Sequence, residues 1–365
     1  MGDDNRKLVL LADRITNPDR VGTVRAVVER LEGLGYAPVV LCETAGDALR
    51  RAVPVVECAG LTDRWRLPWT SRGVRLDGLM PRPDLLHVLQ SRMAPAGLEL
   101  AERWGVPYLQ SIEEFLPEGS KIRLSRRWSR WLVATSRELA HDLIANFDIP
   151  VDRVRVVHRG LSTVDPATLG RNPGAVPVVG TAGPLDAGSG FGTFLNAARR
   201  VLDAGVDAEF VVVGQGVEEG DLRRRADRLR IADRVTFAGD AAIGLSFWDV
   251  LDVYCQPSTV PTVGRNLARS LAHGLPAVVS DIEGLRSLVR HNVTGLRVPP
   301  GDTNSLARAI RDLLGDRPRA RNLGLAGRAD VLRDYDLDRE AGLLADLYDS
   351  AIEGEVAATA DVVMA

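Results

Sequence analysis

The residues whose types and spacing best suit chemistry form a turn, residues 257–264 (PSTVPTVG), between an apolar run and an amphipathic stretch. The run VYCQ before the turn predicts a buried strand, and the segment NLARSLAHG after it predicts a helix. A helix that begins at such a turn offers unpaired backbone N–H groups and the positive end of its dipole, which both favour anions. The turn therefore predicts a phosphate-binding site. The alternative is a tight strand–helix connection that binds no ligand.

The elements around this turn repeat one theme along the whole chain. Short apolar runs such as KLVLLA, APVVLC, PVVGTAG and PAVVSD alternate with amphipathic stretches such as VRAVVERLEGLG, APAGLELAERWG and SRELAHDLIANF. This alternation predicts α/β domains with parallel sheets that helices cover on both faces. Residues 160–177 are rich in Gly, Pro and Thr and have no period, so they are predicted to link two domains.

Composition excludes several classes of protein. A chain of 365 residues suits two domains, and 45% hydrophobic with 26% charged residues is typical of a globular protein. The net charge of −3 gives no drive toward nucleic acid, and no apolar run is long enough to span a membrane. The three cysteines are scattered, which favours reduced thiols over disulfides or a zinc site. We expect a cytoplasmic protein.

The second half contains, in this order, the segments VVVGQG, RVTFAG, DVYCQPS, AHGLPAVVSDIEGL and TGLRVPPGDTNSLARAI. In order and spacing, these five segments resemble those of retaining family-4 glycosyltransferases. The first half is similar more loosely, through PDLLH, VATS and VVHRGL, and RDYD precedes the closing helix as in proteins where that helix returns to the first domain. The resemblance implies a GT-B fold, in which two Rossmann-like parallel-sheet domains face each other across a cleft.

The same resemblance implies the domain bounds and the ligands. Residues 1–165 would form an N-terminal acceptor-side domain, 175–330 a nucleotide-sugar-side domain, 331–352 a helix that crosses back, and 353–365 a flexible tail. The implied partners are a nucleotide-sugar donor and a glycan or lipid-linked acceptor, with no cofactor and no metal. The implied donor-binding residues are Gly183, Ser189, Gly214, Ser258, Thr262, Gly264, Arg265, Arg269 and Ser287.

The charged residues that this family uses at the donor site are replaced here. The family's two Glu residues, which contact the donor sugar and the ribose, fall on Pro261 and Arg269, and a third falls on Ser287. The Arg and Lys that hold the diphosphate fall on Pro184 and Ser189. Because cations stabilise the departing diphosphate, their loss predicts weak donor binding unless arginines such as Arg265 compensate. The alternative for Arg265 is a solvated surface residue.

Candidate residues in the first half come with open alternatives. Gly22 occupies the place of the family's glycine-rich turn on the acceptor side. Glu113 and Glu114 are candidate catalytic bases, or acids at a helix start. His87 is a third catalytic candidate, or simply the end of a buried strand.

The segment from Lys121 to Trp131 is dense in Arg and Trp. It is predicted either to touch the inner membrane face peripherally or to form a solvated helical face.

The resemblance implies a glycosyltransferase that transfers a sugar to an unknown acceptor with retention, in glycan or glycolipid synthesis. The main alternative is a non-catalytic relative that binds or scaffolds. A different GT-B enzyme, such as an epimerase, is a more distant alternative.

Overall fold

The structure is a computed structural model, and it describes residues 5–61, 82–117, 119–161, 176–239 and 245–354. The chain folds into two compact units. Unit 1 comprises Met1–Ser162 and Tyr335–Ala365, and unit 2 comprises Thr163–Asp334. The predicted linker falls largely on residues 162–175, and the predicted tail on residues 355–365, which lie outside the described residues.

The strands are short, and those in the middle of the two large sheets are almost wholly buried, as expected for parallel sheets covered on both faces. They are β1 Arg6–Leu11, β2 Arg14–Ile15, β3 Tyr36–Cys42, β4 Thr44–Ala45, β5 Val55–Glu57, β6 Leu85–Val88, β7 Tyr108–Ile112, β8 Ser129–Ala134, β9 Val154–Val156, β10 Val178–Ala182, β11 Glu209–Val213, β12 Val235–Ala238, β13 Val253–Gln256, β14 Ala277–Ser280 and β15 Leu296–Val298.

The helices lie between the strands and follow the amphipathic stretches. They are α1 Pro18–Gly33, α2 Asp47–Ala52, α3 Ala94–Trp104, α4 Arg137–Asn146, α5 Phe191–Asp203, α6 Glu219–Arg228, α7 Leu245–Asp249, α8 Arg265–Ala272, α9 Thr303–Gly315, α10 Arg317–Asp334 and α11 Leu337–Glu353. None of the helices in the described ranges is long and apolar enough to cross a membrane.

Unit 1 contains a seven-stranded sheet in the order β5-β3-β1-β6-β7-β8-β9, in which every pairing is parallel. A second, two-stranded sheet pairs β2 with β4. Residues of α1 and α11 share one core with the sheet, whereas residues of α3 share another. The closing helix α11 is tied to the sheet by ion pairs from Arg6 to Asp349 and Glu353.

Unit 2 contains a six-stranded parallel sheet in the order β12-β11-β10-β13-β14-β15. Residues of α5, α6, α9 and the start of α10 form its main core with the strands, including an edge-to-face contact between Phe194 and Phe210. The two parallel-sheet units confirm the predicted fold class. The order also places the ends of β11, β10, β13 and β14 side by side.

Three local expectations were wrong. Helix α1 begins at Pro18, so Gly22 lies inside the helix and not in a turn. Proline suits the first helical position, because its fixed φ and missing N–H cost nothing there. No helix begins at Glu113, where an irregular stretch follows β7. The basic segment is not helical either, since residues 121–125 are irregular, residues 126–128 form a turn and β8 begins at Ser129.

Candidate functional site

The loops that follow β10, β11, β13 and β14 meet at one edge of the unit 2 sheet. The carboxyl end of an open parallel sheet is where ligands bind in such folds. The Leu185 amide donates to the Gln215 carbonyl at 3.0 Å, which joins the first two loops. The Thr259 amide donates to the Gly188 carbonyl at 2.8 Å, which joins the first and third loops.

Two glycines allow these loops to approach one another closely. A Cβ at Gly190 would overlap the Pro257 carbonyl, and Gly190 has a φ of +73°, a left-handed conformation that side chains disfavour. A Cβ at Gly284 would overlap the Thr262 carbonyl in the same way. The loops are therefore interlocked through their backbones. They bring together the predicted residues Gly183, Ser189, Gly214, Ser258, Thr262, Gly264 and Ser287.

A buried chain of hydrogen bonds connects β13 to the turn at residues 257–264. The Tyr254 hydroxyl donates to Gln256 Oε1 at 2.6 Å, and Gln256 Nε2 donates to Ser258 Oγ at 3.0 Å. The Asn266 amide donates to the Ala182 carbonyl at 3.0 Å, which ties α8 to the end of β10. Burial raises the pKa of Tyr254 far above its usual range, so this hydroxyl stays protonated and keeps its donor role.

Helix α8 begins directly at the turn. Gly264 caps it in the left-handed conformation with a φ of +71°, and no side chain caps the helix. Arg265 is the first helical residue and is half-buried, whereas Arg269 is buried. The Arg269 carbonyl accepts from His273 Nδ1 at 2.9 Å. Burial lowers the pKa of His273, although this hydrogen bond opposes the shift.

The loop after β10 presents an acid between Pro184 and Ser189. Asp186 is exposed, and its Oδ1 accepts hydrogen bonds from both the amide and the hydroxyl of Ser189, at 3.0 and 2.9 Å. Ser189 is buried and its hydroxyl is engaged within the loop. Pro184 is exposed and offers no donor. The loop between β10 and α5 thus carries a negative charge.

Two further positions of interest lie at the turn after β14. Ser287 is exposed, and its hydroxyl donates to the Gly284 carbonyl at 3.2 Å. Arg286, a cation near this turn, is paired with Asp281 at 2.9 Å. Its charge is therefore already balanced by a neighbouring carboxylate.

In unit 1, His87 forms a buried trio with two hydroxyl groups. His87 lies in β6 and is 1% exposed. Its Nδ1 is 2.6 Å from the Tyr348 hydroxyl of α11, and its Nε2 is 2.9 Å from Ser111 Oγ of β7. Burial, with a smaller contribution from the Arg159 charge, lowers the pKa of His87 to about 3, so the imidazole is neutral at pH 7.

A cavity of about 30 Å³ adjoins this trio, and its lining also includes Glu113 and Arg159. The volume accommodates about two water molecules. Glu113 is held between two guanidinium groups, with Arg159 hydrogen-bonded to Oε1 and Arg20 Nη2 3.8 Å from Oε2. The structure thus brings the candidates His87 and Glu113 to one cavity. Glu114 is exposed and does not line this cavity, and Gly22 lies within α1.

The basic-aromatic segment is split between surface and core. Lys121 and Arg127 are exposed, and Arg127 lies over the half-buried Trp128 ring at 4.7 Å. Trp131 is 6% exposed and packs in the core, with Arg155 5.5 Å from its ring centroid. Trp131 is therefore not available to a membrane, which corrects the prediction for that residue.

Sequence reasoning missed four residues that shape these sites: Arg20, Arg159, Tyr348 and Asp186. Asp186 carried a local signal, since it lies between Pro184 and Ser189 in the loop already singled out. The other three act across long separations along the chain. Among the described residues, no group of three or more His, Cys, Asp or Glu side chains is arranged to hold a metal ion.

Comparison with solved structures defines the class of fold. A glycosyltransferase from Rickettsia africae superposes with a TM-score of 0.76 at 17% identity, covering 96% of this chain and 100% of that one. HepE from Anabaena, solved in complex with UDP and glucose, gives a TM-score of 0.77 at 16% identity, covering 95% of this chain and 100% of that one. The fold is that of the GT-B glycosyltransferases.

Family models and relatives then define the family. The Glycosyltransferase Family 4 model matches residues 22–164, and the model for glycosyl transferases group 1 matches residues 176–316. This chain belongs to the family-4 type of glycosyltransferases.

Two relatives show how far the similarity extends. A 2-deoxystreptamine N-acetyl-D-glucosaminyltransferase of Streptomyces fradiae is 29% identical over 294 residues, covering 70% of this chain and 69% of the relative. The lipopolysaccharide core mannosyltransferase LpsB of Rhizobium meliloti is 22% identical over 347 residues, covering 90% and 93%.

Proposed function

We propose that this glycosyltransferase moves a sugar from a nucleotide-sugar donor to an acceptor hydroxyl with retention, and that unit 2 binds the donor. The observation that carries the proposal is the set of interlocked loops at the ends of β10, β11, β13 and β14. A donor complex of the related fold supports it, since HepE was solved with UDP and glucose and also with UDP-glucose.

In this reaction the acceptor oxygen forms a bond to the anomeric carbon, and the bond from that carbon to the β-phosphate oxygen breaks. The departing nucleoside diphosphate keeps the electron pair, and its phosphate oxygen takes the proton of the acceptor hydroxyl. Attack on the face that the phosphate leaves gives retention. Catalysis therefore depends on stabilising negative charge on the diphosphate.

The backbone offers the main means of doing so in unit 2. The turn at residues 257–264 leads into the start of α8, whose first amides and dipole favour an anion. Thr262 and Gly264 lie in that turn, and Arg265 and Arg269 bring positive charge to the same helix. We infer that these groups hold the diphosphate, with Ser258 and Ser287 near the sugar.

A non-catalytic role is the second candidate, and the loop at Asp186 favours it. A carboxylate in this loop repels a diphosphate, and Pro184 supplies no compensating donor. Charge repulsion of this kind weakens with solvent exposure, and Asp186 is exposed. We therefore expect weakened donor binding and slow transfer.

The test compares the unmodified chain with Asp186→Asn, because asparagine can still cap the loop. Calorimetry with UDP, GDP and ADP gives the affinity, and release of nucleoside diphosphate from the matching sugar donors gives turnover. We expect Asp186→Asn to bind about three- to tenfold more tightly, corresponding to roughly 1 kcal/mol of relieved repulsion. Asp203→Asn, at the opposite end of α5, is the matched control and should bind like the unmodified chain.

The two candidates give different results in that test. Release of nucleoside diphosphate with retained anomeric configuration, read by NMR of the product, supports the enzyme. Binding without release in both the unmodified chain and Asp186→Asn supports the non-catalytic role. Absence of binding in all variants contradicts the proposed donor site.

The acceptor is proposed to be a glycan or a lipid-linked glycan, with peripheral contact to a membrane through the cations of residues 121–127. Lys121, Arg126 and Arg127 are exposed, which suits anionic lipid headgroups. Sedimentation with phosphatidylglycerol vesicles tests the contact. Loss of co-sedimentation in Arg126→Gln/Arg127→Gln supports it, and equal sedimentation with neutral vesicles contradicts it.

A further inference from the structure

Five charged side chains meet at the carboxyl edge of the unit 1 sheet. They come from separate elements: Asp13 follows β1, Arg20 lies in the first turn of α1, Arg92 follows β6, Glu113 follows β7 and Arg159 follows β9. We call these five residues the arginine cluster. The parallel sheet brings its members together, because the strands that precede them all end at the same edge.

The contacts within the arginine cluster are uneven. Arg159 is hydrogen-bonded directly to Glu113. Arg20 is farther from its carboxylates, with Nη1 3.6 Å from Asp13 Oδ1 and Nη2 3.8 Å from Glu113 Oε2. Arg92 Nη1 lies 3.4 Å from Asp13 Oδ2. Three guanidinium groups thus surround two carboxylates, which leaves one positive charge in excess.

Arg20 has the longest ion pairs of the three cations in the arginine cluster. Its side chain is 20% exposed, and its Nη2 atom is buried without a hydrogen-bond partner among the described residues. Burial lowers the pKa of Arg20, and the charges of Arg159 and Arg92 lower it further, while Glu113 and Asp13 oppose them. A buried charged donor without an acceptor is costly, so an anionic oxygen at this position would relieve a real penalty.

The cluster also lies where a substrate should bind. The carboxyl edge of a parallel sheet is the ligand-binding edge, and the residues of the arginine cluster lie in the segments that follow the strands at that edge. We propose that Arg20, together with Arg159 and Arg92, forms an anion subsite that holds a phosphate or carboxylate group of the acceptor. This inference rests on the proposed function, because it assigns the acceptor side of the reaction to unit 1.

Guanidinium groups suit this role. They bind phosphate and carboxylate oxygens through paired, charge-assisted hydrogen bonds. The acceptor class is therefore a sugar phosphate or a sugar acid, because a neutral sugar would leave the excess positive charge of the arginine cluster unbalanced. The excess of a single charge fits a group that carries one or two negative charges.

The experiment is calorimetric titration of the full chain with glucose 6-phosphate, glucuronate and glucose. These probes share a hexose ring and differ in the anionic group. We expect glucose 6-phosphate or glucuronate to bind at least about tenfold more tightly than glucose, because a charge-assisted contact is gained. The tighter of the two identifies phosphate or carboxylate as the acceptor group.

Variants locate the subsite. Arg20→Gln should weaken binding of the preferred anion about ten- to hundredfold, because it removes a charge-assisted contact. Arg20→Lys keeps the positive charge and should retain part of the affinity for the anion. This variant therefore tests the role of the charge even if Arg20→Gln does not fold. Arg25→Gln lies on the same helix, its charge is paired on the surface with Glu29, and it should bind like the unmodified chain.

UDP is titrated into the same samples, so that failure of the anion subsite can be told apart from failure of the proposed function. If UDP binds but neither anion binds more tightly than glucose, the anion subsite is wrong and the donor site stands. Equal losses in Arg20→Gln and Arg25→Gln also overturn the subsite. If an anion binds through Arg20 while no nucleotide binds, the donor assignment fails and the subsite stands.

Discussion

Protonation of His87 should destabilise unit 1 as the pH falls. The imidazole is buried and neutral, with Nδ1 against the Tyr348 hydroxyl and Nε2 against Ser111. Its pKa is about 3 in the folded chain, compared with about 6.5 when unfolded. Between these values the unfolded state binds one more proton than the folded state. The contribution of neutral His87 to the free energy of unfolding is therefore fully present above about pH 6.5 and is lost as the pH falls toward 3.

The magnitude follows from the size of the shift. Each pH unit inside that window removes about 1.4 kcal/mol from the free energy of unfolding. We expect a loss of about 2 kcal/mol at about pH 5 relative to about pH 7.5, and a ceiling of about 5 kcal/mol below about pH 3. The window between about pH 5 and 7.5 is the cleanest, because most carboxylates remain ionised there.

The assay is urea unfolding at about pH 7.5, 6 and 5, read by pulsed hydrogen exchange on peptides from β6 and α11. This readout follows unit 1 separately, which matters because a chain with two units need not unfold in one step. His87→Gln removes the titrating group and retains polar atoms, so its free energy of unfolding should depend less on pH by about 2 kcal/mol over this range. Identical pH dependence in the two proteins would refute the reasoning.

Three further predictions concern packing and a buried hydrogen bond. Gly190→Ala should lower the free energy of unfolding of unit 2 by more than about 2 kcal/mol, because its Cβ would overlap the Pro257 carbonyl. The control Gly205→Ala is also at positive φ but has open space around it, so it should cost about 1 kcal/mol. Equal urea midpoints for the two variants would contradict this prediction. Tyr348→Phe removes the partner of a buried imidazole and should cost about 1–3 kcal/mol in unit 1 by the same exchange assay, and a neutral result would show that the contact contributes nothing. Phe194→Ala should cost about 3–5 kcal/mol in unit 2, since its ring is fully buried against Phe210, and a loss below about 1 kcal/mol would be inconsistent with that packing.

Much of the fold could be predicted from the sequence, because periodicity and burial agree locally. The stretch APAGLELAERWG forms α3, which ends at the left-handed Gly105, and SRELAHDLIANF forms α4, which Ser136 caps. The turn before α8 could be predicted in the same way. Each of these features depends on neighbouring residues, which is why sequence patterns capture them.

Other features depend on strand pairing and on contacts between distant residues, which local sequence patterns do not indicate. The stretch before Trp131 is rich in Arg, which suits a helix, but SRWLVA pairs with β7 and β9 and becomes a buried strand. The Arg20–Glu113 and His87–Tyr348 contacts join residues 93 and 261 positions apart. The sheet order brings them together, and no spacing in the sequence indicates these contacts.

The donor site of unit 2 is the central claim to be tested. The most direct measurement is release of nucleoside diphosphate by the unmodified protein from UDP-, GDP- and ADP-sugars, with the affinity for each nucleotide measured in parallel. We predict weak binding of one nucleotide and slow release of nucleoside diphosphate from its sugar donor. Asp186→Asn should bind that nucleotide more tightly and release the diphosphate faster, whereas Asp203→Asn should behave like the unmodified protein. Absence of nucleotide binding in all three proteins would contradict this claim.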